Sequence, residues 1–208
     1  MVSRYEYLQL LAPKITDELI ITTIAGVARE WGSLKDRDGN LYTVYMGGTT
    51  SVALGLALAL PHRRVICLDG DGSLLMGLTV LPVIAKTNPP NLIVIVIDNE
   101  AYEAAGKIPT FTAGPTDLAE MARGAGIRNA RLVRGLSEFE EAIDKAFLGK
   151  GVSFILAKAQ VGWAPIGFRA LQGSENKYRF VRYVEKSENI QIIKPPARSA
   201  LYVKKDKD

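Results

Sequence analysis

Two glycines flank an acidic residue where a strongly apolar segment ends, an arrangement that suits phosphate binding. The segment reads Val65-Ile66-Cys67-Leu68-Asp69-Gly70-Asp71-Gly72-Ser73. A buried strand that turns into a helix presents backbone N–H groups and the positive end of the helix dipole to an anion. Gly70 and Gly72 let the backbone approach a phosphate without a Cβ in the way, and Ser73 can donate from its hydroxyl.

The carboxylate of Asp71 cannot favour a bare phosphate, because both groups are negatively charged. It makes sense if a hard cation, Mg²⁺ above all, bridges it to the phosphate oxygens. A Gly-Asp-Gly triplet alone is also typical of an ordinary turn. The metal interpretation therefore depends on a second group of oxygen ligands.

A second polar cluster follows the apolar segment 92–97 and reads Asp98-Asn99-Glu100-Ala101-Tyr102. One helix and one strand fit between Asp71 and Asn99, which indicates a single right-handed crossover to a parallel strand. Open α/β sheets bind ligands at the carboxyl ends of their strands, so we expect both clusters to meet at one edge.

The elements that must position these clusters alternate between strand and helix patterns. This alternation predicts an α/β fold of three layers (αβα) around a mostly parallel central sheet. Capping-box spacing predicts helix starts at Asp117 with Glu120 and at Ser137 with Glu140. We predict strands near 19–24, 43–45, 64–69, 92–98, 130–133 and 153–157, and helices near 4–11, 27–31, 50–60, 73–86, 118–124 and 138–147.

The length of 208 residues, 48% of them hydrophobic, favours one compact domain. We assign residues 1–186 to this domain, with an amphipathic peripheral helix at 177–184, and residues 187–208 to a C-terminal extension that forms an extended arm.

Composition argues against several classes of protein. The net charge of +4 is spread among 22 acidic residues, so no nucleic-acid partner is expected. The longest apolar run, 52–60, is too short to span a bilayer, and we expect a soluble, cytoplasmic protein with no membrane association. Cys67 is a single, buried thiol, which excludes a disulfide within the chain. His62, the one histidine, precedes a strand at the edge opposite the clusters and is not expected to be catalytic.

The two clusters together resemble the thiamine diphosphate (thiamine pyrophosphate) motif, in which Gly-Asp-Gly is followed by a paired Asn after the next strand. The resemblance implies that Asp71 and Asn99 are side-chain ligands of Mg²⁺ and that the backbone carbonyl of Ala101 completes the protein's share. Tyr102 joins the cofactor-binding residues with Gly70, Gly72 and Ser73. In this sequence the first residue of the Asn pair is Asp98.

The upstream segment 42–51 resembles the part of the same family that receives the aminopyrimidine ring. Met46 stands where a bulky apolar residue wedges between the two rings of the cofactor. Val44 would offer its backbone carbonyl to the 4'-amino group, at a position where glycine is usual. Taken alone, Met46 is also typical of a core methionine.

Over roughly residues 17–180 the sequence is most similar to sulfopyruvate and phosphonopyruvate decarboxylases, with supporting segments at 35–42, 70–76, 116–119 and 175–177. The resemblance implies a subunit that binds thiamine diphosphate and Mg²⁺ and acts on a small 2-oxo acid. The segment 104–108 departs from the family pattern, which affects the substrate pocket. Glu100 and Glu103 are expected to face outwards, and Lys107 either pairs with an anion or is solvated.

The recognisable fold uses most of the 208 residues. The activating glutamate of the family is therefore expected on a pyrimidine-binding partner subunit, within an oligomer. Two alternatives stay open. One is a carboligase or oxidoreductase subunit of the same superfamily, although the lack of Cys pairs argues against an iron–sulfur enzyme that carries its own cluster ligands. The other is a non-catalytic cofactor-binding module.

Overall fold

The computed structural model describes residues 1–167 and 172–193. Six parallel strands form the central sheet in the order β2-β1-β3-β4-β8-β7, and a small antiparallel pair, β5-β6, lies beside it. The α/β prediction with a parallel sheet is confirmed. The strands are β1 (Leu19–Thr23), β2 (Asn40–Val44), β3 (Val65–Gly70), β4 (Leu92–Asp98), β5 (Ala101–Tyr102), β6 (Ile108–Pro109), β7 (Ala130–Val133) and β8 (Ser153–Lys158).

Helices cover both faces of the sheet. Successive strand residues alternate between two hydrophobic clusters: Val65 belongs to the one that includes residues of α3, α5, α6 and α8, and Ile66 to the one that includes residues of α1, α2 and α7. A parallel strand buried on both sides reads as a continuous apolar run, as β4 does. The helices are α1 (Arg4–Leu11), α2 (Gly26–Leu34), α3 (Thr49–Ala59), α4 (Asp71–Met76), α5 (Val80–Thr87), α6 (Leu118–Gly124), α7 (Leu136–Leu148) and α8 (Gly173–Glu188).

The strand order creates a crevice beside β1 and β3. From β1 the chain moves outward to β2, and from β3 it moves the other way to β4, so the order reverses between β1 and β3. Such a reversal separates the loops that follow the two strands and leaves room for a ligand at their carboxyl ends. The Gly-Asp-Gly turn directly follows β3 at this point.

Two predictions about helices were wrong. The helix predicted over 73–86 is divided into α4 and α5, and Gly77 caps the end of α4. A Cβ on Gly77 would lie 2.3 Å from the carbonyl oxygen of Gly47, so the loop requires a glycine here, and glycine favours the end of a helix. The helix predicted to start at Ser137 begins instead at Leu136, after the extended Gly135.

The other predicted helix start is confirmed, since Asp117 accepts hydrogen bonds from the backbone N–H groups of Ala119 and Glu120. A further capping box at Ser3 and Glu6, which the sequence reading missed, starts α1.

The last described helix, α8, closes the edge of the sheet at β2. Asn176 is buried on α8, accepts from the Tyr42 backbone N–H at 2.8 Å and donates to the Asn40 carbonyl at 3.0 Å. Its amide thus takes the place of a neighbouring strand, which protects an otherwise open edge. The helix is longer than predicted, and the part of the expected arm at 194–208 lies outside the described residues. Among the described residues, no helix is long and apolar enough to cross a membrane.

We predict that Asn176→Ala lowers the free energy of unfolding by about 2 kcal/mol, because it leaves a buried N–H and a buried carbonyl of β2 without partners. Urea unfolding would measure the change. The control Gln160→Ala, at an exposed position, should change the midpoint little. Equal midpoints for the two variants would show that α8 does not hold the sheet edge.

Candidate functional site

A cleft opens at the carboxyl edge of the sheet, at the reversal of strand order. Its walls come from the segments after β1, β3 and β4 and from the loop after β2. Val44, in contrast, ends β2 with its side chain in the hydrophobic core and is not among the residues found to line the cleft. The other predicted cofactor-binding residues all line it: Met46, Gly70, Asp71, Gly72, Ser73, Asn99, Ala101 and Tyr102.

The backbone of the Gly-Asp-Gly turn lies directly against an aromatic ring. A Cβ on Gly72 would come within 2.2 Å of Cε1 of Tyr102, so this position accepts only glycine while the ring stays in place. Ser73 accepts a hydrogen bond from the backbone N–H of Gly47 at 3.2 Å, which ties the loop that holds Met46 to α4. The two segments predicted to hold opposite ends of the cofactor are therefore linked.

The two predicted metal ligands follow adjacent strands. Gly70 pairs with Ile97 in the β3–β4 register, so Asp71 and Asn99 lie just beyond paired positions. Both are buried, with relative exposures of 3% and 6%. Asn99 accepts from the backbone N–H of Ala101 through Oδ1 at 3.2 Å, which fixes the turn that carries both residues.

The donor set suits a cation that shares its coordination with a ligand. Among the described residues, no group of three or more His, Cys, Asp or Glu side chains could hold a metal alone. Asp71, Asn99 and the Ala101 carbonyl would provide three oxygens, fewer than the six that Mg²⁺ requires. Phosphate oxygens and water would complete the shell, which is the usual arrangement for Mg²⁺ bound with a phosphate compound.

Two threonines, which the sequence reading missed, hold the Asp71 carboxylate. Thr110 donates to Oδ2 of Asp71 at 2.5 Å, and Thr112 lies 3.1 Å from the same oxygen. Thr112 also lies 2.7 Å from Oδ1 of Asp98, and the two hydroxyls are 2.8 Å apart. These four oxygen–oxygen contacts share only two hydroxyl protons. A proton on one of the carboxylates, or a nearby cation, would make up this shortage.

The pKa of Asp71 reflects this shortage. Burial is the largest cause and, together with the nearby Asp98, raises this pKa from 3.8 to about 6 despite the hydrogen bonds from Thr110 and Thr112, which lower it. A divalent cation would replace the proton and relieve the repulsion between the two carboxylates.

Asp98 has a single cationic neighbour among the described ion pairs. Its side chain is fully buried, and its Oδ2 lies 2.8 Å from Nζ of Lys158. Lys158 ends β8 and stands opposite Asp98 in the β4–β8 register. It also pairs with Oε1 of Glu100 at 2.7 Å.

A buried ion cluster forms another wall of the cleft. Arg4 of α1 donates from Nε and Nη2 to the carboxylate of Glu30 at 2.8 and 2.9 Å, and from Nη1 to Glu103 at 2.8 Å. The prediction that Glu103 faces outwards was wrong, because Arg4 draws its side chain inward to 7% exposure. No local pattern connects residues so distant in the sequence.

The remaining candidates lie on the surface. Glu100 is exposed, as predicted, and so is Lys107. His62 precedes the amino end of β3, on the edge away from the cleft, where it pairs with Glu188 at 2.5 Å. Its predicted position is confirmed.

Comparison with known proteins identifies several relatives. A family model described as "Thiamine pyrophosphate enzyme, C-terminal TPP binding domain" matches residues 36–157. The chain is 31% identical to sulfopyruvate decarboxylase subunit beta of Methanococcus maripaludis, over 89% of this chain and 99% of the relative. It is 38% identical to sulfopyruvate decarboxylase of Methanosarcina acetivorans (70% of this chain, 38% of the relative). It is 32% identical to phosphonopyruvate decarboxylase of Streptomyces hygroscopicus (83% and 43%).

A solved structure shares the fold. Benzoylformate decarboxylase from Polynucleobacter necessarius superposes with a TM-score of 0.65 at 18% identity. The match covers 78% of this chain and 34% of that one, so this chain spans about a third of the solved protein. At this identity the likeness is evidence for the fold alone.

We predict that Asp71→Asn makes the metal-free chain more stable at neutral pH. The folded pKa of Asp71, about 6, lies above its ordinary value of 3.8, so the folded state loses stability as the pH rises through this interval. Asn does not ionise, and the variant should gain roughly 2–3 kcal/mol over the parent at pH 7.5 and little near pH 4.

Urea unfolding in EDTA at both pH values measures this difference. Asp38→Asn, at a carboxylate whose side chain is 62% exposed, serves as the control and should change little at either pH. A variant no more stable than the parent at pH 7.5 would contradict the assignment of a strained, buried carboxylate to this position.

Proposed function

The chain belongs to the thiamine pyrophosphate enzymes, and on this premise we propose that it is the cofactor-binding subunit of a 2-oxo acid decarboxylase. The observation that carries the proposal is the match to 99% of a protein named sulfopyruvate decarboxylase subunit beta, in a chain whose Asp71 and Asn99 lie buried side by side at the cleft. The substrate class proposed is a small 2-oxo acid of the sulfopyruvate or phosphonopyruvate kind.

Asp71, Asn99 and the Ala101 carbonyl would hold Mg²⁺ against the diphosphate. The carboxylates of Asp71 and Asp98 are both buried and Lys158 pairs with Asp98, which leaves negative charge at Asp71 that a divalent cation would offset. When bound, thiamine diphosphate would supply the carbon nucleophile that attacks the ketone, and its thiazolium ring would accept the electrons released with CO₂.

Met46 and Tyr102 would position the cofactor's rings and diphosphate. Met46 is half-buried in the cleft wall, beside the Gly47 backbone that is tied to α4. The Tyr102 ring packs against Gly72 and excludes a side chain at position 72, so the backbone there would stay open to the diphosphate. Val44 stays a proposed acceptor of the 4'-amino group through its carbonyl.

The activating glutamate belongs to a pyrimidine-binding partner subunit in this proposal. Among the described residues, Glu103 is the glutamate that lines the cleft, and Arg4 binds both its carboxylate and that of Glu30 behind the wall. A carboxylate held in an ion pair in this way is poorly placed to share a proton with the aminopyrimidine ring of the cofactor. The relatives agree with a divided enzyme, since this chain matches nearly all of one named subunit but 38% of the sulfopyruvate decarboxylase of Methanosarcina acetivorans.

An apolar rim around the cleft offers a surface for that partner. Ile24 lines the cleft, Tyr45 precedes the cleft residue Met46, Met76 contacts Gly47, and Phe111 lies between the two threonines that contact Asp71. Their relative exposures are 37%, 71%, 65% and 76%, respectively. Exposed apolar groups gathered at one edge are typical of protein interfaces. We therefore propose that the partner packs across the mouth of the cleft and encloses the cofactor.

The wall formed by Ala104 and Ala105 contributes to substrate choice in this proposal. Both residues line the cleft just beyond the metal-binding turn. Their small side chains leave room in the cleft but provide no charge, so recognition of an anionic substituent would fall to the partner.

The test is CO₂ release from sulfopyruvate, phosphonopyruvate and other 2-oxo acids, with Mg²⁺, thiamine diphosphate and a candidate partner subunit. We expect activity only when both chains are present, and a loss of at least about 100-fold for Asp71→Ala and Asn99→Ala. His62→Ala, on the far edge, should stay within a few-fold.

Different products would identify other members of the superfamily, since a carboligase joins two substrates and an oxidoreductase requires an electron acceptor. Decarboxylation by the isolated chain would contradict the divided active site. Cofactor binding without any turnover in the complete complex would indicate the non-catalytic module.

A further inference from the structure

Lys158 contacts the residues on both sides of the proposed metal ligand Asn99. Its Nζ lies 2.8 Å from Oδ2 of Asp98 and 2.7 Å from Oε1 of Glu100. Its position follows from the sheet, since β8 pairs with β4 in a register that sets Lys158 opposite Asp98. One ammonium group therefore joins the two residues that bracket Asn99.

The segment that it joins is a tight turn with an unusual backbone. Glu100 has a φ of 61°, in the left-handed region that most residues avoid. Its N–H donates to Oδ1 of Asp98 at 3.2 Å, and its carbonyl accepts from the Thr110 N–H at 3.0 Å. The same turn directs the side chain of Asn99 and the carbonyl of Ala101, the two groups expected to reach the cation.

The need for an ammonium group arises from the charge at Asp98. Its carboxylate is completely buried, and an unpaired charge in such a place costs several kcal/mol. Lys158 is itself mostly buried, with 15% of its side chain exposed, so the attraction between the two charges is little screened by solvent. An asparagine at position 98, as in the motif this segment resembles, would need no such partner.

We propose that Lys158 is a positioning residue for the metal site: its ammonium clamps the turn 98–101 so that Asn99 and the Ala101 carbonyl face the cation. The inference rests on the proposed function, because it assumes that Mg²⁺ and thiamine diphosphate bind at this turn. Lys158 acts through Asp98 and Glu100 and has no contact with the cofactor in this role.

The test measures the Mg²⁺ concentration that gives half-maximal thiamine diphosphate binding, by calorimetry on the full chain together with its partner subunit. Lys158→Met should raise this concentration about tenfold, because the turn loses its clamp, and this loss outweighs the stronger attraction that the unpaired Asp98 carboxylate exerts on the cation. The same substitution in an Asp98→Asn background should raise it only about threefold, since the contact with Glu100 is then the part of the clamp that is lost.

Two further variants separate positioning from loss of the fold. Glu100→Gln removes the exposed arm of the clamp without touching a buried group, and we expect a rise of about threefold. Lys145→Met removes an ion pair with Glu141 on the surface of α7 and should leave the Mg²⁺ dependence unchanged. Thermal melting of each variant identifies any that is unfolded.

Each outcome decides the inference. An unchanged Mg²⁺ dependence for Lys158→Met would overturn it, and so would an equal rise in the required Mg²⁺ concentration in both Asp98 backgrounds. If Lys158→Met does not fold, an unchanged Mg²⁺ dependence for Glu100→Gln would overturn it instead. Failure of the parent protein to bind thiamine diphosphate with any Mg²⁺ concentration would instead contradict the proposed function and remove the premise.

Discussion

Negative charge buried at the carboxyl ends of β3 and β4 is the constraint on which the site depends. Asp71 and Asp98 are both buried within reach of one threonine hydroxyl, and Lys158 neutralises one of them. Burial in a region of low dielectric and repulsion from the Asp98 carboxylate both raise the pKa of Asp71. A divalent cation would therefore stabilise the folded chain, and without the cation the buried negative charge lowers the stability of the fold.

The fold creates this situation through sheet topology. Parallel strands direct their carboxyl ends to the same edge, and the reversal of order between β1 and β3 opens that edge to a ligand. Polar side chains that are distant in the sequence therefore meet at this edge. Arg4 closes one side of the cleft by binding Glu30 and Glu103, and this ties the first helix to the loop after the turn 98–101.

Local and periodic features of the fold could be predicted from the sequence. The bounds predicted for β7 agree with the structure residue for residue, with its first and last residues buried. Those predicted for β4 agree as well, because β4 is a short apolar run bounded by polar turns. The cleft residues at Asp71 and Asn99 could be found because each follows such a run. Contacts between distant segments left no comparable pattern. The division at Gly77 depends on the Gly47 carbonyl, and the support of Asp71 by Thr110 depends on a hairpin that composition does not indicate.

The central claim is that Asp71, Asn99 and the Ala101 carbonyl hold one divalent cation against a diphosphate. Its most direct test is a crystal structure of the chain, with its partner subunit, grown with Mn²⁺ and thiamine diphosphate, in which anomalous scattering locates the metal. We expect a single strong peak about 2.0–2.3 Å from a carboxylate oxygen of Asp71, Oδ1 of Asn99 and the Ala101 carbonyl oxygen. A peak elsewhere, or bound diphosphate with no metal between it and Asp71, would contradict the account.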